Sequence, residues 1–257
     1  MSVPRSLLRS CRLLLLAGVA ALALGGCASN RASIGGSDAI TTGSIGGSGG
    51  SLEALAAHYK KSPKDKVVMI RFASALRAHG QSEQAVAVLE RGVSGNPRDL
   101  DIKLAYAKAL AAAGRFDQAL TVLDGAIDPA APDWNALLVK GAVLDQMGRN
   151  GEARKFYEQA LTIAPGEASL HANLGLSFAM TNDLVTAERY LRQAVNLRGA
   201  TSQIRQNLAL VVGLQGRFDE ARQLYGAELA GDEVEQNMAY IRALLTQQNR
   251  WELIKES

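Results

Sequence analysis

Five alanines, Ala85, Ala119, Ala153, Ala187 and Ala221, recur at intervals of 34 residues, and this period constrains the fold more than any other feature of the chain. Five residues before each stands Gly80, Gly114, Gly148, Asn182 or Gly216, and twelve before each another small residue, Ala73, Ala107, Gly141, Gly175 or Ala209. The run Gly114-Arg115-Phe116-Asp117-Gln118-Ala119 returns three periods later as Gly216-Arg217-Phe218-Asp219-Glu220-Ala221. A unit of this length cannot bury its own apolar face, so successive units must stack and share one core.

Numbering the earlier small residue as position 8 puts the alanine at position 20. Two antiparallel helices approach closely only where neither projects a large side chain, and positions 8 and 20 supply that crossing. Larger apolar residues at position 11 (Leu76, Leu110, Leu144, Phe178, Val212) and position 24 (Leu89, Leu123, Tyr157, Leu191, Tyr225) fill the space around it. Gly or Asn at position 15 takes the left-handed conformation that ends the first helix. Pro97 and Pro165 end the second, and Pro63 in the same phase makes Leu52–Lys61 an unpaired capping helix. The pattern resembles the tetratricopeptide repeat. That resemblance implies an all-α fold, a solenoid of about five 34-residue helical hairpins with flanking capping helices, laid out as a cap over 51–65, five repeats over 66–231 and a closing helix over 232–257. The closing segment is out of phase, since Gln206-Asn207-Leu208-Ala209 returns as Gln236-Asn237-Met238-Ala239 after 30 residues. Position 4 lacks the family's large residue and holds Met69, Lys103, Leu137, His171 and Arg205, which predicts half-buried sites there, as at Lys140. Trp134 is expected to pack between repeats.

The N-terminus reads differently. Arg5, Arg9 and Arg12 precede twelve apolar residues from Leu13 to Leu24, the layout of a secretory signal and too short to span a bilayer. Leu24-Gly25-Gly26-Cys27 resembles a bacterial lipobox, which implies removal of residues 1–26 and lipidation of Cys27; Ala28 after it favours the outer membrane, periplasmic face. Residues 27–50 are rich in Gly and Ser and read as a tether with a reach of about 25–30 Å. No Gly-Lys-Ser/Thr follows these glycines, so they are not a phosphate loop. Loss of the signal would leave 25 basic and 25 acidic residues. A balanced chain gives no case for nucleic acid, and membrane contact is expected through the lipid anchor alone.

Chemistry-bearing constellations are missing. The only cysteine expected in the processed chain is Cys27, and His58, His79 and His171 occupy unrelated phases of the repeat, so no metal site, cofactor, catalytic residue or small-molecule substrate is expected, and the chain is not read as an enzyme. Acidic residues such as Asp117, Glu152 and Glu188 are read as solvated. A stack of hairpins offers instead a concave face for a protein partner. Its register contains Leu138, Leu176, Leu210 and Tyr240, with Asn173, Asn207 and Asn237 in matching phase. A side-chain amide can pair with both backbone groups of an extended peptide; the same amides can equally bond to neighbouring helix backbone.

A narrower resemblance spans nearly the whole processed chain. It is carried by Gly50-Ser51-Leu52-Glu53-Ala54-Leu55, Ser62-Pro63-Lys64-Asp65-Lys66, Pro132-Asp133-Trp134, the run Gln206 to Phe218, and Leu245-Thr246-Gln247-Gln248-Asn249. These segments are similar to the TadD-like lipoproteins of the tight-adherence (Flp) pilus assembly system. The resemblance implies a periplasmic lipoprotein of pilus assembly acting on the outer-membrane secretin as a pilotin does. An adaptor that docks envelope hydrolases or proteases is the other reading of such a lipoprotein.

Overall fold

The computed structural model describes residues 51–256, with side chains placed as far as Gln247. Cys27, the signal segment and the 27–50 tether therefore lie outside the described residues. Among the described residues there are twelve helices and no strand: α1 (Leu52–Lys61), α2 (Lys66–Ala78), α3 (Ser82–Gly95), α4 (Leu100–Ala112), α5 (Phe116–Asp124), α6 (Trp134–Gln146), α7 (Asn150–Ile163), α8 (Ala168–Met180), α9 (Leu184–Val195), α10 (Ser202–Leu214), α11 (Phe218–Gly226) and α12 (Gly231–Glu256). They fall into two compact units, one ending at Ile163 and the other beginning at Ala164. The first holds α1 and the hairpins α2/α3, α4/α5 and α6/α7; the second holds α8/α9, α10/α11 and α12.

Local chemistry sets these boundaries. Gly80, Gly114, Gly148 and Gly216 adopt φ of 73° to 81°, and Asn182 φ of 64°. In each turn the amide one residue further on donates back to the position-11 carbonyl, as from Gln81 to Leu76 (2.8 Å), Arg115 to Leu110 (2.8 Å) and Asp183 to Phe178 (3.0 Å). This capping bond satisfies a carbonyl that the helix end leaves open. The first helices of the hairpins are capped as regularly, except α8, where Glu167 makes no side-chain cap bond. Asp65, Asp99 and Asp133, again 34 residues apart, accept from the amides of Val68 (3.0 Å), Ile102 (3.1 Å) and Ala136 (2.9 Å), and Thr201 does the same for Ile204 (3.3 Å).

Helix crossings form where the small residues lie. Ala85, Ala119, Ala153, Ala187 and Ala221 are all fully buried, as are Ala107 and Ala209. A Cβ added to Gly175 would stand 3.0 Å from the Ala187 carbonyl oxygen, so in the fourth hairpin positions 8 and 20 meet too closely for a methyl group without a shift, whereas Ala73, Ala107 and Ala209 carry one at position 8. At Gly141 an added Cβ would lie 2.8 Å from Tyr157 Cδ1. The Tyr157 ring is 1% exposed, and its hydroxyl donates to Asp145 (2.9 Å), which also accepts from Asn150 (2.7 Å). Burial, then the adjacent Asp145 carboxylate, pushes the Tyr157 phenol well above its ordinary value. At the two ends, α1 packs on α2 with Tyr59 stacked on Phe72 at 5.2 Å, and α12 buries Val234, Met238 and Ile241 against α10 and α11.

The position-4 expectation needs correction, because Met69 and Leu137 are fully buried whereas Lys103, His171 and Arg205 are half-buried. Four of the five position-4 side chains meet the end of the second helix of their own hairpin. Met69 fills the space a side chain on Gly92 would take, and Lys103 Nζ donates to the Gly125 carbonyl (3.1 Å). His171 Nδ1 faces Gln193 Oε1 (3.1 Å), and Arg205 pairs with Glu228. One hole is thus filled by four chemistries, among them a cation at a helix C-terminus, where the dipole favours it. Glu188 also departs from its solvated reading. Only 14% of its side chain is exposed, and it accepts from Gln215 (2.8 Å), Arg217 (2.7 Å) and Arg192 (2.8 Å).

Candidate functional site

Within the second unit, α8, α10 and α12 carry the same register of side chains. Asn173 and Asn207 share position 6, and Asn237 occupies that phase in the shifted closing helix. Leu176, Leu210 and Tyr240 follow each of them by three residues, on the same face one turn on. These three are half-buried, whereas Asn173 and Asn207 are 5% and 8% exposed. Leu138, assigned to the same face in the first unit, is 0% exposed and is corrected to a core residue: it presents no surface to a ligand.

The amides are already half committed. Asn173 Nδ2 donates to the Ser169 carbonyl (2.8 Å) and Asn237 Nδ2 to the Glu233 carbonyl (2.8 Å), each one helical turn back. Asn207 is engaged from the other side, its Oδ1 accepting from Gln203 Nε2 (3.1 Å). Among the described residues one atom of each amide is left without a partner: Oδ1 of Asn173, Nδ2 of Asn207 and Oδ1 of Asn237. A two-point pairing of each amide with a peptide backbone is therefore not on offer; a single acceptor or donor per helix is. Gln203 escapes a reading by repeat phase, although it precedes Asn207 by four residues, the spacing at which side chains on one helix touch.

Tyrosines flank the row. Burial raises the Tyr240 phenol above its ordinary value, and burial together with the neighbouring Tyr240 raises that of Tyr225. Both are neutral through the physiological range, Tyr225 buried in the core and Tyr240 half-buried. Phe178 stacks on Tyr190 at 5.7 Å, with the Arg189 guanidinium 4.3 Å over the Tyr190 ring. Ser169 Oγ is buried with no partner, and the Pro165 carbonyl faces His171 Nε2 (2.9 Å). Among the described residues no three His, Cys, Asp or Glu side chains are placed to hold a metal ion, and no helix is long and apolar enough to cross a membrane.

Family models of the tetratricopeptide repeat match residues 76–140 and 135–167. No curated protein matches the sequence. Among solved structures, a thermophilic tetratricopeptide-repeat protein of Thermus thermophilus is similar with 23% identity and a TM-score of 0.59, over 68% of this chain and 97% of that one. A tetratricopeptide-repeat protein of Parabacteroides merdae is similar with 11% identity and a TM-score of 0.63, over 74% and 76%. The Cut9–Hcn1 hetero-tetramer of the APC/C is similar with 16% identity and a TM-score of 0.60, over 74% of this chain and 39% of the other.

Proposed function

We propose that this chain, an all-α protein with the fold of a tetratricopeptide-repeat solenoid, is a lipid-anchored periplasmic scaffold of pilus assembly that holds the outer-membrane secretin as a pilotin does. The protein-binding part of the reading is carried by the second-unit face, where α8, α10 and α12 repeat an amide and an apolar side chain in one register. Each helix there keeps one uncommitted amide atom beside Leu176, Leu210 or Tyr240. That is the requirement for gripping an extended segment through its backbone with little regard to sequence. The cellular setting rests on Leu24-Gly25-Gly26-Cys27 and on the resemblance to the tight-adherence lipoproteins.

The test is co-purification of the secretin with the full chain from membranes, wild type against the variant with Asn173, Asn207 and Asn237 all changed to Ala. Three lost hydrogen bonds at about 0.5–1.5 kcal/mol each correspond to roughly tenfold to thousandfold weaker capture. Melting is measured in parallel, because the same substitutions remove the intrahelical bonds. Unchanged capture with unchanged melting takes the asparagines out of the site, and failure of the wild type to retain secretin refutes the pilotin role.

A further inference from the structure

The balanced charge of the processed chain hides a local imbalance. Between Ser51 and Gln81 there are six basic residues (Lys60, Lys61, Lys64, Lys66, Arg71, Arg77) against Glu53 and Asp65, and the remainder of the chain from Ser82 onward has 18 basic against 22 acidic residues. Within this stretch Lys66 is engaged with Asp99 (3.1 Å) and Asp101 (2.7 Å), and cations elsewhere are mostly engaged, as Arg115 with Glu83 (3.4 Å), Lys140 with Asp124 (2.5 Å) and Arg149 with Glu152 (2.8 Å). Lys60, Lys61 and Lys64 are exposed and have no partner among the described residues. The nearby Asp65 is occupied as the cap of α2, and Glu53 sits about 10 Å away at the far end of α1.

A cation in the last turn complements a helix dipole, which accounts for one of these lysines. It does not account for Lys64, which lies beyond the helix, nor for a concentration that α3 to α8 lack altogether in their last turns. We propose that Lys60, Lys61 and Lys64 form a docking surface for the anionic phosphate headgroups of the membrane that holds the chain. The location rests on the lipid-anchor reading above; the chemistry rests on the charge distribution. A protein interface needs a desolvated apolar centre. Around these lysines His58, Ser62 and Pro63 are exposed, and the apolar residue that follows is the isolated Val67, 60% exposed. A headgroup layer asks only for charge at the surface. A tether reach of about 25–30 Å exceeds the roughly 15 Å length of α1, so this end can come down onto the bilayer to which Cys27 would be attached.

The full chain, purified from membranes, is reconstituted into vesicles of phosphatidylcholine and into vesicles with about one third phosphatidylglycerol. Hydrogen exchange is then followed over the amides from Leu52 to Asp65. Each lysine near an anionic surface multiplies partitioning by about fivefold, so three give about a hundredfold. Expected are slower exchange in the anionic vesicles only, its loss in the variant K60Q/K61Q/K64Q, and its loss in high salt. Unchanged melting of that variant shows that the fold is intact. Equal exchange in the two vesicles, or protection that survives in the variant, overturns the proposal. So does protection that appears only when soluble poly-glutamate is added, which assigns the surface to an acidic protein segment. A chain that leaves neutral vesicles but still sediments with anionic ones, in a lysine-dependent manner, counts against the lipid anchor and supports the docking surface.

Discussion

Replacing Gly141 with Ala places a methyl group against the Tyr157 ring in the third hairpin. The added Cβ would lie 2.8 Å from Cδ1 and 2.8 Å from Cζ of a side chain that is 1% exposed, so the ring must move. Overpacking of this kind costs about 1–3 kcal/mol. Movement of the ring also pulls the hydroxyl from Asp145, where the 2.9 Å bond ends on a 7% exposed residue, and a hydrogen bond to a charged group is worth about 1.5–3 kcal/mol. Against this, Ala gains about 1 kcal/mol over Gly in a helix interior. The net loss is about 1.5–5 kcal/mol, a fall in Tm of roughly 3–20 °C for a domain of this size. The second hairpin shows the remedy. At the positions of Gly141, Asp145 and Tyr157 it has Ala107, Ala111 and Leu123, all of them buried. The triple variant G141A/D145A/Y157L imports that trio and should regain most of the loss, which thermal melts followed by circular dichroism will show. A G141A protein that melts with the wild type, or a triple variant no more stable than G141A, refutes the argument that one helix crossing is tuned by the ring and the carboxylate together.

Ala153→Leu drives a large side chain into a fully buried crossing and should cost about 1–3 kcal/mol in denaturant unfolding. Asn182→Gly should raise stability by about 0.5–1 kcal/mol, since φ of 64° suits glycine, and Asn182→Ala should lower it by about 1 kcal/mol. Partial burial raises the Glu188 pKa, but the bonds from Gln215, Arg217 and Arg192 outweigh it and hold the carboxyl below its ordinary 4.5. A depressed carboxyl contributes stability above the unfolded value and loses it as pH falls through the folded one. Glu188→Gln should therefore melt below the wild type at pH 7, with the gap closing at acid pH beneath 4.5. On the proposed lipid anchor, Cys27→Ser should remove the added lipid mass and the association with neutral membranes, read by mass spectrometry of intact protein and by vesicle sedimentation.

The period reveals the hairpins because it reports backbone requirements: Gly or Asn where φ is positive, Ala or Gly where helices touch. The aspartates at 65, 99 and 133 carry the same information about helix starts at the same spacing, and they become meaningful once their side chains are seen to accept from the first-turn amides. Position 4 defeats the pattern because side-chain type alone does not say what stands opposite. Met69 is buried by the absence of a side chain at Gly92, a residue 23 positions away. Glu188 defeats it for the same reason, since Gln215 and Arg217 lie on the following hairpin's turn. In the candidate site the register of the asparagines is visible in the sequence, but their engagement is not: a helix satisfies a polar side chain with the carbonyl one turn back whenever geometry allows, and periodicity is blind to that choice.

The four fillings of the position-4 hole bear on how such a chain avoids tangling with itself. Near-identical units invite misregistration, in which the first helix of one hairpin closes on the second helix of another and each still buries an alanine crossing. In such an exchange Arg205 would arrive at Gly92, where it finds no carboxylate, and Met69 would arrive at Glu228, where it leaves the acid without its cation. Four of the five hairpins thus carry their own address in the side chain that meets the far end, and the sequence differences that blur the repeat are what keep these copies from being interchangeable.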